Sequence, residues 1–547
     1  MIILGIHSSY TGTTHDPSAC LIINGRVVAA AEEEKFIRVK SASTFFPVNA
    51  IKACLTIGKI DIKQVHCIAT DGASYPQIKD KIIKSMHHFF KYSPRVEIFN
   101  HAQAHCAGAF YSSGFEKSLS ISVDGSGDKI SSSVEFYSKE KNSIGYKKLY
   151  RSDYKKSLGN FYTIFTNFLG FKSIEGEYKL MGMAAYGKPA YDLSKIIYFN
   201  KKTGKIATSK DYLKLFDTKN YTSINEPSYA ENFISKKFKI ERPLNTKKFT
   251  KKHYNLASSV QFQFTKTYLD LIDYFIKKTN SEYLCLAGGC ALNCLANKEL
   301  LKKNLKGIYV MPAASDRGLS LGSAMICASK FQEPIKPVKT MLLGMSYNSN
   351  SIEKSLKKFG IRFKKIKNQF KDCAEEIKKG KIVGWFQGRS EFGPRALGSR
   401  SILANPNIKG MKNLLNSKIK FRESFRPFAP SILQNSFKKY YGKTSADLTS
   451  MTFTVDIPKK LKKFLPEAVH FDNTSRVHLV NKSNIRFFKL LKEIEKKNDF
   501  GVVINTSFNL SGEPNVETPS DAIRTFFSSG IDILYIENYK IKKFNEN

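Results

Sequence analysis

The chain has 547 residues and a formal net charge of +41, because 88 lysine and arginine residues outnumber 47 aspartate and glutamate residues. This length exceeds one ordinary hydrophobic core and predicts two or three domains. A hydrophobic content of 42% excludes a disordered chain, and the lack of any run of about 18 apolar residues predicts no membrane-spanning helix.

The first residues read as a buried strand and not as a signal peptide. The nine cysteines include no C-x-x-C pair, which argues against zinc fingers and thioredoxin-like chemistry. A cytoplasmic protein is therefore expected. The charge raises the alternative of a nucleic-acid partner. The excess is mostly lysine spread over the whole length, whereas specific nucleic-acid sites depend on clustered arginine and stacking aromatics, so we do not expect such a partner.

The first part of the chain predicts alternating strands and helices, with strands at residues 2–6, 18–23, 26–32, 65–70 and 96–99. Asn24-Gly25 predicts a tight hairpin, because a type I′ turn needs positive φ at both central residues. Helices are expected after Pro47, near residues 76–91 and from about His101. This order indicates an α/β fold with a mixed sheet.

A second strand–turn–strand unit at residues 118–137, with its turn expected at residues 125–128, is again followed by helical material, which predicts a duplicated α/β lobe. Residues 195–252 are rich in lysine and predict a surface insertion. A long helix near residues 255–278, strands at 283–286 and 308–311, and a helix from Gly318 complete the first domain, residues 1–335. A proline-containing linker at 333–337 leads to a second α/β domain, residues 340–547, with late strands at 501–505 and 531–536.

Four side chains of the first domain have the chemistry of metal ligands. His101 and His105 are four residues apart in a predicted helix, so both imidazoles lie on one face. Asp124 ends one predicted strand, and Asp316 follows another. Two histidines with two carboxylates suit a divalent metal such as Fe²⁺, Zn²⁺ or Mn²⁺. Ordinary core or surface histidines are the alternative.

Two glycine-rich segments follow strands close to these residues, at 124–127 (DGSG) and 286–293 (LAGGCALN). Backbone amides in such turns form anion-binding nests. They predict a nucleotide site that includes Gly125, Ser126, Gly288, Gly289 and Asn293, with plain tight turns as the alternative.

His15 precedes Asp16 in a polar loop between the first two strands. A histidine beside a phosphate site suits a general base for an alcohol, because its pKa lies near the working pH. The alternative is a loop histidine without a role.

The second domain contains glycine, proline and arginine packed too densely for a helix or strand interior. Residues 384–398 read GWFQGRSEFGPRALG, and residues 426–430 read RPFAP. Proline-braced turns hold guanidinium groups rigidly toward an anion. Lys420, Arg422, Arg426 and Arg476 follow Arg395 along the chain, and the amide and hydroxyl donors of Asn505-Thr506-Ser507-Phe508-Asn509 follow a strand. Fixed cations and such donors together predict a phosphate-binding site. The alternative is ion pairing of the arginines with Glu391 and Glu423.

Several of these motifs occur together in one known family. The chain resembles the O-carbamoyltransferases of the nodulation-protein-U type, which also modify antibiotics. The resemblance covers nearly the whole length except the lysine-rich middle. It is carried by the His15 loop, the tract AEEEKF at 31–36 with Lys40, the two histidines, GEYKLMG at 176–182, the glycine turn at 288–289, Asp316, GPRALG at 393–398 and NTSFN at 505–509.

The resemblance implies an actin-like ATPase domain, similar to the threonylcarbamoyl-transfer protein, followed by a carbamoyl-adenylate-forming α/β domain. Carbamoyl phosphate and ATP would give carbamoyl-AMP and pyrophosphate in the second domain, and the carbamoyl group would then pass to a hydroxyl. By matched position, the resemblance implies that these anions are bound by Arg395, Lys420, Arg426, Arg476, Asn505 and Ser507. His15, Arg395 and Lys420 would be catalytic, and Lys40, Glu177 and Lys179 would contact substrate. The expected cofactor is Fe²⁺, with Zn²⁺, Mn²⁺ or Mg²⁺ as alternatives.

Two other functions remain open at this stage. A tRNA-modifying threonylcarbamoyl-type enzyme would share these folds, and the net charge favours it. A nucleotide-dependent sensor would use the actin-like fold without turnover. The sequence leaves the acceptor undefined, and we expect a sugar or another small molecule.

Overall fold

The computed structural model describes residues 1–8, 14–140, 144–210, 212, 229–243, 248–423 and 425–543. These residues form an α/β protein built on two five-stranded sheets and one eight-stranded sheet. The predicted α/β class is confirmed. Within the described ranges, no helix combines the length and the apolar character needed to cross a bilayer.

The first sheet has the strand order β3-β2-β1-β4-β5. Its first three strands form antiparallel hairpins, whereas the last two run parallel to β1. Asn24 and Gly25 have φ angles of 47° and 69°, as the predicted type I′ turn requires. The elements are β1 (Ile2–His7), β2 (Ser18–Ile23), β3 (Arg26–Glu32), α1 (Glu33–Ile37), α2 (Val48–Gly58), β4 (Cys67–Asp71), α3 (Ile78–Phe90), β5 (Val96–Phe99) and α4 (His101–Ser113).

The second sheet repeats this connectivity in the order β12-β11-β6-β7-β8. Again three antiparallel strands are followed by two parallel ones, so the predicted duplication of the lobe is confirmed. The elements are β6 (Lys117–Gly127), β7 (Ile130–Lys139), β8 (Ile144–Asp153), α5 (Leu158–Phe168), α6 (Glu177–Ala184), β9 (Ile197–Asn200), β10 (Lys205–Thr208), α7 (Tyr229–Phe238), α8 (Lys251–Thr279), β11 (Tyr283–Ala287), α9 (Cys294–Leu300), β12 (Gly307–Val310) and α10 (Leu319–Lys330).

The two lobes meet where α4 crosses α10. A Cβ atom at Gly322 would lie 2.0 Å from the carbonyl oxygen of Ala104, and one at Gly108 would lie 3.2 Å from the Cα atom of Gly322. Only glycine permits this close approach of the two helices. The crossing fixes the first turn of α4, which carries two of the predicted metal ligands.

The turn between β6 and β7 differs from the sequence prediction. We expected residues 125–128 to form it, but Gly125–Gly127 continue β6 as an irregular extension. The turn falls at Asp128 and Lys129, whose φ angles are 49° and 61°. The Asp128 carboxylate stabilises this position, because it accepts hydrogen bonds from the backbone N–H groups of Ala73, Ser74 and His101.

The lysine-rich stretch at 195–252 contributes more than a solvated loop. Strands β9 and β10 pair in an antiparallel hairpin beside α8. Ile197, Ile206 and Ile234 are completely or almost completely buried in the main core. Residues 211, 213–228 and 244–247 of this stretch lie outside the described residues.

The third sheet lies in the C-terminal half and has the order β13-β22-β21-β14-β15-β20-β16-β19. An extended segment joins it to α10, and the domain division at residues 335–340 stays a prediction. The elements are α11 (Ser349–Lys358), β13 (Lys364–Lys365), α12 (Gln369–Lys378), β14 (Val383–Phe386), β15 (Arg400–Ala404), α13 (Met411–Leu415), β16 (Ala429–Leu433), α14 (Gln434–Tyr441), β17 (Val455–Asp456), α15 (Lys459–Lys462), β18 (Thr474–Ser475), β19 (His478–Val480), α16 (Ile485–Asn498), β20 (Val502–Ser507), α17 (Pro519–Phe527), β21 (Ile533–Ile536) and β22 (Tyr539–Lys542).

A buried histidine in β19 makes stability depend on pH. Burial lowers the pKa of His478 from 6.5 to about 3. Between these values the unfolded chain binds a proton that the native ring does not, so the free energy of unfolding falls as the pH falls. We expect His478→Asn to reduce this loss by about 1.4 kcal/mol per pH unit. Urea unfolding of both proteins between pH 6.5 and 4 measures it, and parallel slopes would contradict the expectation.

Candidate functional site

A single cavity of about 1000 Å³ lies between the two halves of the chain. One wall comes from the duplicated lobes and contains His15, His101, Asp124 and Asp316. The facing wall comes from the third sheet and its loops. It includes all six residues predicted to bind phosphate: Arg395, Lys420, Arg426, Arg476, Asn505 and Ser507.

His101, His105, Asp124 and Asp316 form one compact cluster. One ligand atom from each of the four lies within 4.8 Å of all the others. The Nε2 atoms of His101 and His105 lie 3.3 and 3.2 Å from Asp124 Oδ2, and 3.7 and 3.6 Å from Asp316 Oδ1. These separations suit ligands that surround one cation at about 2.0–2.2 Å. The sequence spacing placed both histidines on one helix face, and the structure brings both carboxylates to them.

Asp71 and His7 support this cluster, and sequence analysis missed both. His101 Nδ1 lies 3.0 Å from Asp71 Oδ2, and His7 Nδ1 lies 2.7 Å from Asp71 Oδ1. Burial alone would raise the pKa of Asp71, but His7 and His101 lower it, so the carboxylate stays ionised. A carboxylate on the far nitrogen of a ligating histidine fixes its tautomer and ring orientation. The position of Asp71 at the end of β4 was the available signal.

His15 lies beside the cluster and is oriented by charged neighbours. Its Nε2 atom is 3.9 Å from Asp316 Oδ2, and its Nδ1 atom is 3.4 Å from Asp16 Oδ2. Arg317 donates to both oxygens of Asp16, at 2.7 and 3.2 Å. Burial lowers the pKa of His15, but Asp316 and Asp16 outweigh burial and raise the pKa to about 9. The ring is therefore protonated at neutral pH as long as no cation offsets the charges of Asp316 and Asp16.

Both glycine-rich segments reach the cavity, which Gly125 and Gly289 line, and the nucleotide site expected there stays a prediction. Gly125 and Ser126 line the cavity from the irregular end of β6. The Gly289 N–H instead donates to Asp124 Oδ1 at 3.0 Å, so this amide orients a member of the metal-ligand cluster. Gly288 has a φ of 80° and approaches Val123 too closely for a side chain. Asn293 lines the cavity, but its amide group exchanges two hydrogen bonds with Gln261.

In the C-terminal wall, Arg395 and Arg476 have no carboxylate partner within the part of the chain that the structure describes. The Nε and Nη2 atoms of Arg395 and the Nε atom of Arg476 are buried without a hydrogen-bond partner among the described residues. The Arg395 guanidinium lies 4.9 Å from the centre of the Tyr178 ring. Burial, together with the charges of Arg395 and Arg426, lowers the pKa of Arg476 to about 10. Uncompensated buried cations that repel one another are the arrangement that a polyanion neutralises.

Lys420 ends a π-helical turn, Asn416–Lys420, after α13. Its ammonium group donates to Asn509 Oδ1 at 2.8 Å and to the carbonyl oxygen of Ser507 at 2.5 Å. Burial lowers its pKa, and the charges of Arg422, Arg426 and Lys40 lower it further. Arg422 therefore belongs to the same cationic group, together with the other cations that the sequence placed beyond Arg395. Irregular turns of this kind often occur at functional sites.

The alternative of ion pairing is contradicted for Arg395 and fits Arg426 only weakly. The carboxylate of Glu391 accepts three backbone N–H groups, from Leu397, Ser399 and Arg400, and so shapes the loop that presents Arg395. Arg426 lies 3.9 Å from Glu423, at the limit of an ion pair.

The three residues predicted to contact substrate divide into two groups. Lys40 and Glu177 line the cavity. Lys40 is paired with Glu175 at 3.3 Å, whereas Glu177 has one buried carboxylate oxygen without a described partner. The Lys179 side chain lies outside the lining and pairs with Glu423 at 3.0 Å. It therefore joins the two halves of the chain through an ion pair.

Charged residues of β3 and α1 connect the two halves, and Lys35 also lines the cavity. The Lys35 ammonium donates to the Glu391 carbonyl oxygen at 2.5 Å and pairs with Glu32. Glu32 accepts the N–H of Gly393 at 2.9 Å. Arg38 donates to the carbonyl oxygens of Asn515 and Pro514. The tract AEEEKF thus fixes the loop that carries Arg395 relative to the first lobe.

The fold and the cavity define the class of protein, an α/β enzyme in which a duplicated lobe and a cationic second unit share one site. A model described as "Carbamoyltransferase N-terminus" matches residues 71–325, and one described as "Carbamoyltransferase C-terminus" matches residues 374–543. The chain belongs to the carbamoyltransferase family, and the predicted family and enzyme class are confirmed.

Relatives match over most of the length. An uncharacterized protein of Synechocystis sp. is 32% identical over 99% of this chain and 96% of that protein. Nodulation protein NolNO of Sinorhizobium fredii is 29% identical over 97% of this chain and 79% of that protein. Nodulation protein NolO of Bradyrhizobium diazoefficiens is 31% identical over 81% of this chain and 79% of that protein.

Proposed function

We propose that this carbamoyltransferase works in two stages on opposite walls of its cavity. The cationic wall binds carbamoyl phosphate and ATP and forms carbamoyl-AMP. The wall with His15 and the metal-ligand cluster then transfers the carbamoyl group to a hydroxyl of a sugar-like or other small acceptor. The observation that carries the proposal is that unpaired cations face the metal-ligand cluster across one continuous cavity.

The first stage balances when one water is consumed. Water releases phosphate from carbamoyl phosphate and leaves carbamate, whose oxygen attacks the α-phosphorus of ATP. Pyrophosphate leaves, and carbamoyl-AMP remains. Arg395, Lys420, Arg426 and Arg476 would hold the phosphate oxygens and stabilise the charge that develops on them.

The second stage would take place beside His15. The acceptor hydroxyl attacks the carbamoyl carbon, AMP leaves, and the hydroxyl proton passes to His15 Nε2, giving a carbamate ester. Asp16, held by Arg317, keeps the imidazole in position. His101, His105, Asp124 and Asp316 would hold a divalent cation, with Fe²⁺ as first candidate. Its positive charge would offset that of the adenylate phosphate and of Asp316, which would lower the pKa of His15 toward neutrality.

The decisive experiment measures the release of pyrophosphate and its exchange into ATP. Purified protein with ATP and carbamoyl phosphate should release pyrophosphate and convert added labelled pyrophosphate into ATP. Neither signal should appear with ATP alone. If the complete mixture releases none, the first stage of the proposal is wrong, whatever the acceptor.

A further inference from the structure

Three side chains on one face of the third sheet form a buried hydrogen-bonded row that ends at the cavity. Ser431 in β16 lies directly opposite His478 in the parallel neighbour β19. On the other side of β16, Val503 is opposite Ser431, so Asn505, two residues further along β20, is a diagonal neighbour on the same face. Asn505, Ser431 and His478 are 2%, 0% and 4% exposed.

The row has a defined hydrogen-bond direction. Asn505 Nδ2 lies 3.0 Å from the carbonyl oxygen of Ala396, which can only accept, so the amide nitrogen must point there. The same nitrogen donates to Ser431 Oγ at 2.9 Å, and Ser431 Oγ lies 2.8 Å from His478 Nδ1. Because His478 is neutral above its pKa of about 3, Nδ1 is free to accept the serine proton.

One polar atom of the row, Asn505 Oδ1, takes no part in these hydrogen bonds. Asn505 Oδ1 is buried, has no hydrogen-bond partner among the described residues, and belongs to a side chain that lines the cavity. The same cavity is lined by the cationic donors Arg395, Lys420, Arg426 and Arg476. A lone acceptor among donors cannot serve a phosphate oxygen. It requires a ligand that brings an N–H or O–H group.

We infer that Ser431 and His478 are positioning residues that fix the Asn505 amide so that Oδ1 accepts a hydrogen bond from the NH₂ group of carbamoyl phosphate. This inference rests on the proposed function for the identity of the ligand. The NH₂ group is what distinguishes carbamoyl phosphate from acetyl phosphate, which has a methyl group of similar size in its place. The row therefore selects the acyl group, while the cations bind the phosphate that both compounds share.

Calorimetric titration with carbamoyl phosphate and with acetyl phosphate tests the inference without turnover. Wild-type protein should bind carbamoyl phosphate more tightly. Ser431→Ala and His478→Leu should each reduce that preference about tenfold, the effect of one hydrogen bond, with unchanged affinity for acetyl phosphate. His478→Asn, whose side-chain oxygen can replace Nδ1 as acceptor, should restore the preference.

Equal affinity of the wild-type protein for both compounds would overturn the inference, and this result needs no variant to fold. So would a parallel loss of both ligands in Ser431→Ala and His478→Leu, or a His478→Asn protein that behaves like His478→Leu. Pyrophosphate release with unaltered selectivity in these variants would reject the row and leave the proposed function intact. Selective binding that is lost in these variants, without pyrophosphate release by the wild-type protein, would support the row and reject the first stage of the proposed function.

Discussion

Replacing Arg395 with alanine is expected to reduce pyrophosphate release from ATP and carbamoyl phosphate by about 10²–10³-fold, because a preset donor to the developing phosphate charge is lost. The same change should not lower the thermal unfolding midpoint of the ligand-free protein. Arg395 has two buried donor atoms without described partners and repels Arg476, so its removal relieves an unfavourable arrangement.

Two variants control this result. Arg395→Lys keeps the charge but loses the planar fork, and we expect it to recover only part of the rate. Arg524→Ala removes an exposed arginine paired with Glu513, and we expect full activity. The interpretation of Arg395 fails if Arg395→Ala retains the wild-type rate, or if it destabilises the ligand-free fold enough to explain its inactivity.

Replacing Asp316 with asparagine is expected to separate the two stages. The side chain keeps its shape but loses the charge that faces His101, His105 and His15. Bound divalent metal, measured by elemental analysis after purification with Fe²⁺, should fall to background. Carbamate ester formation should drop by about 10²-fold or more. Pyrophosphate release should continue, because the cationic wall is unchanged.

A graded series strengthens this test. Asp71→Asn alters a residue that contacts His101 and His7 but is not one of the four predicted ligands, so metal affinity should fall about 10–100-fold. Asp456→Asn, at an exposed carboxylate paired with Lys298, should change neither metal content nor activity. Loss of pyrophosphate release together with ester formation in Asp316→Asn would show that the two stages do not occupy separate walls.

Short sequence patterns predicted the fold well where the residue types alone restrict the backbone conformation. Asn24-Gly25 fixed its hairpin because few residue pairs accept positive φ at both positions. The prediction failed at residues 125–128, where glycine suggested a turn but Asp128 and Lys129 form it. The carboxylate of Asp128 is held there by N–H groups from α4 and from the loop after β4. Those partners are distant in sequence, so no local pattern could reveal them.

The sequence by itself determined the succession of strands and helices along each lobe, the four metal-ligand candidates, the cationic residues and the family. These follow from periodicity, residue chemistry and ordered motifs, which are properties of short segments. Only the tertiary structure decided that the Gly289 N–H donates to Asp124, that Lys179 pairs with Glu423, and that Asn505 Oδ1 is left without a hydrogen-bond partner among the described residues. Each depends on which residue, more than a hundred positions away, pairs with a polar group. A buried polar group without such a partner costs free energy.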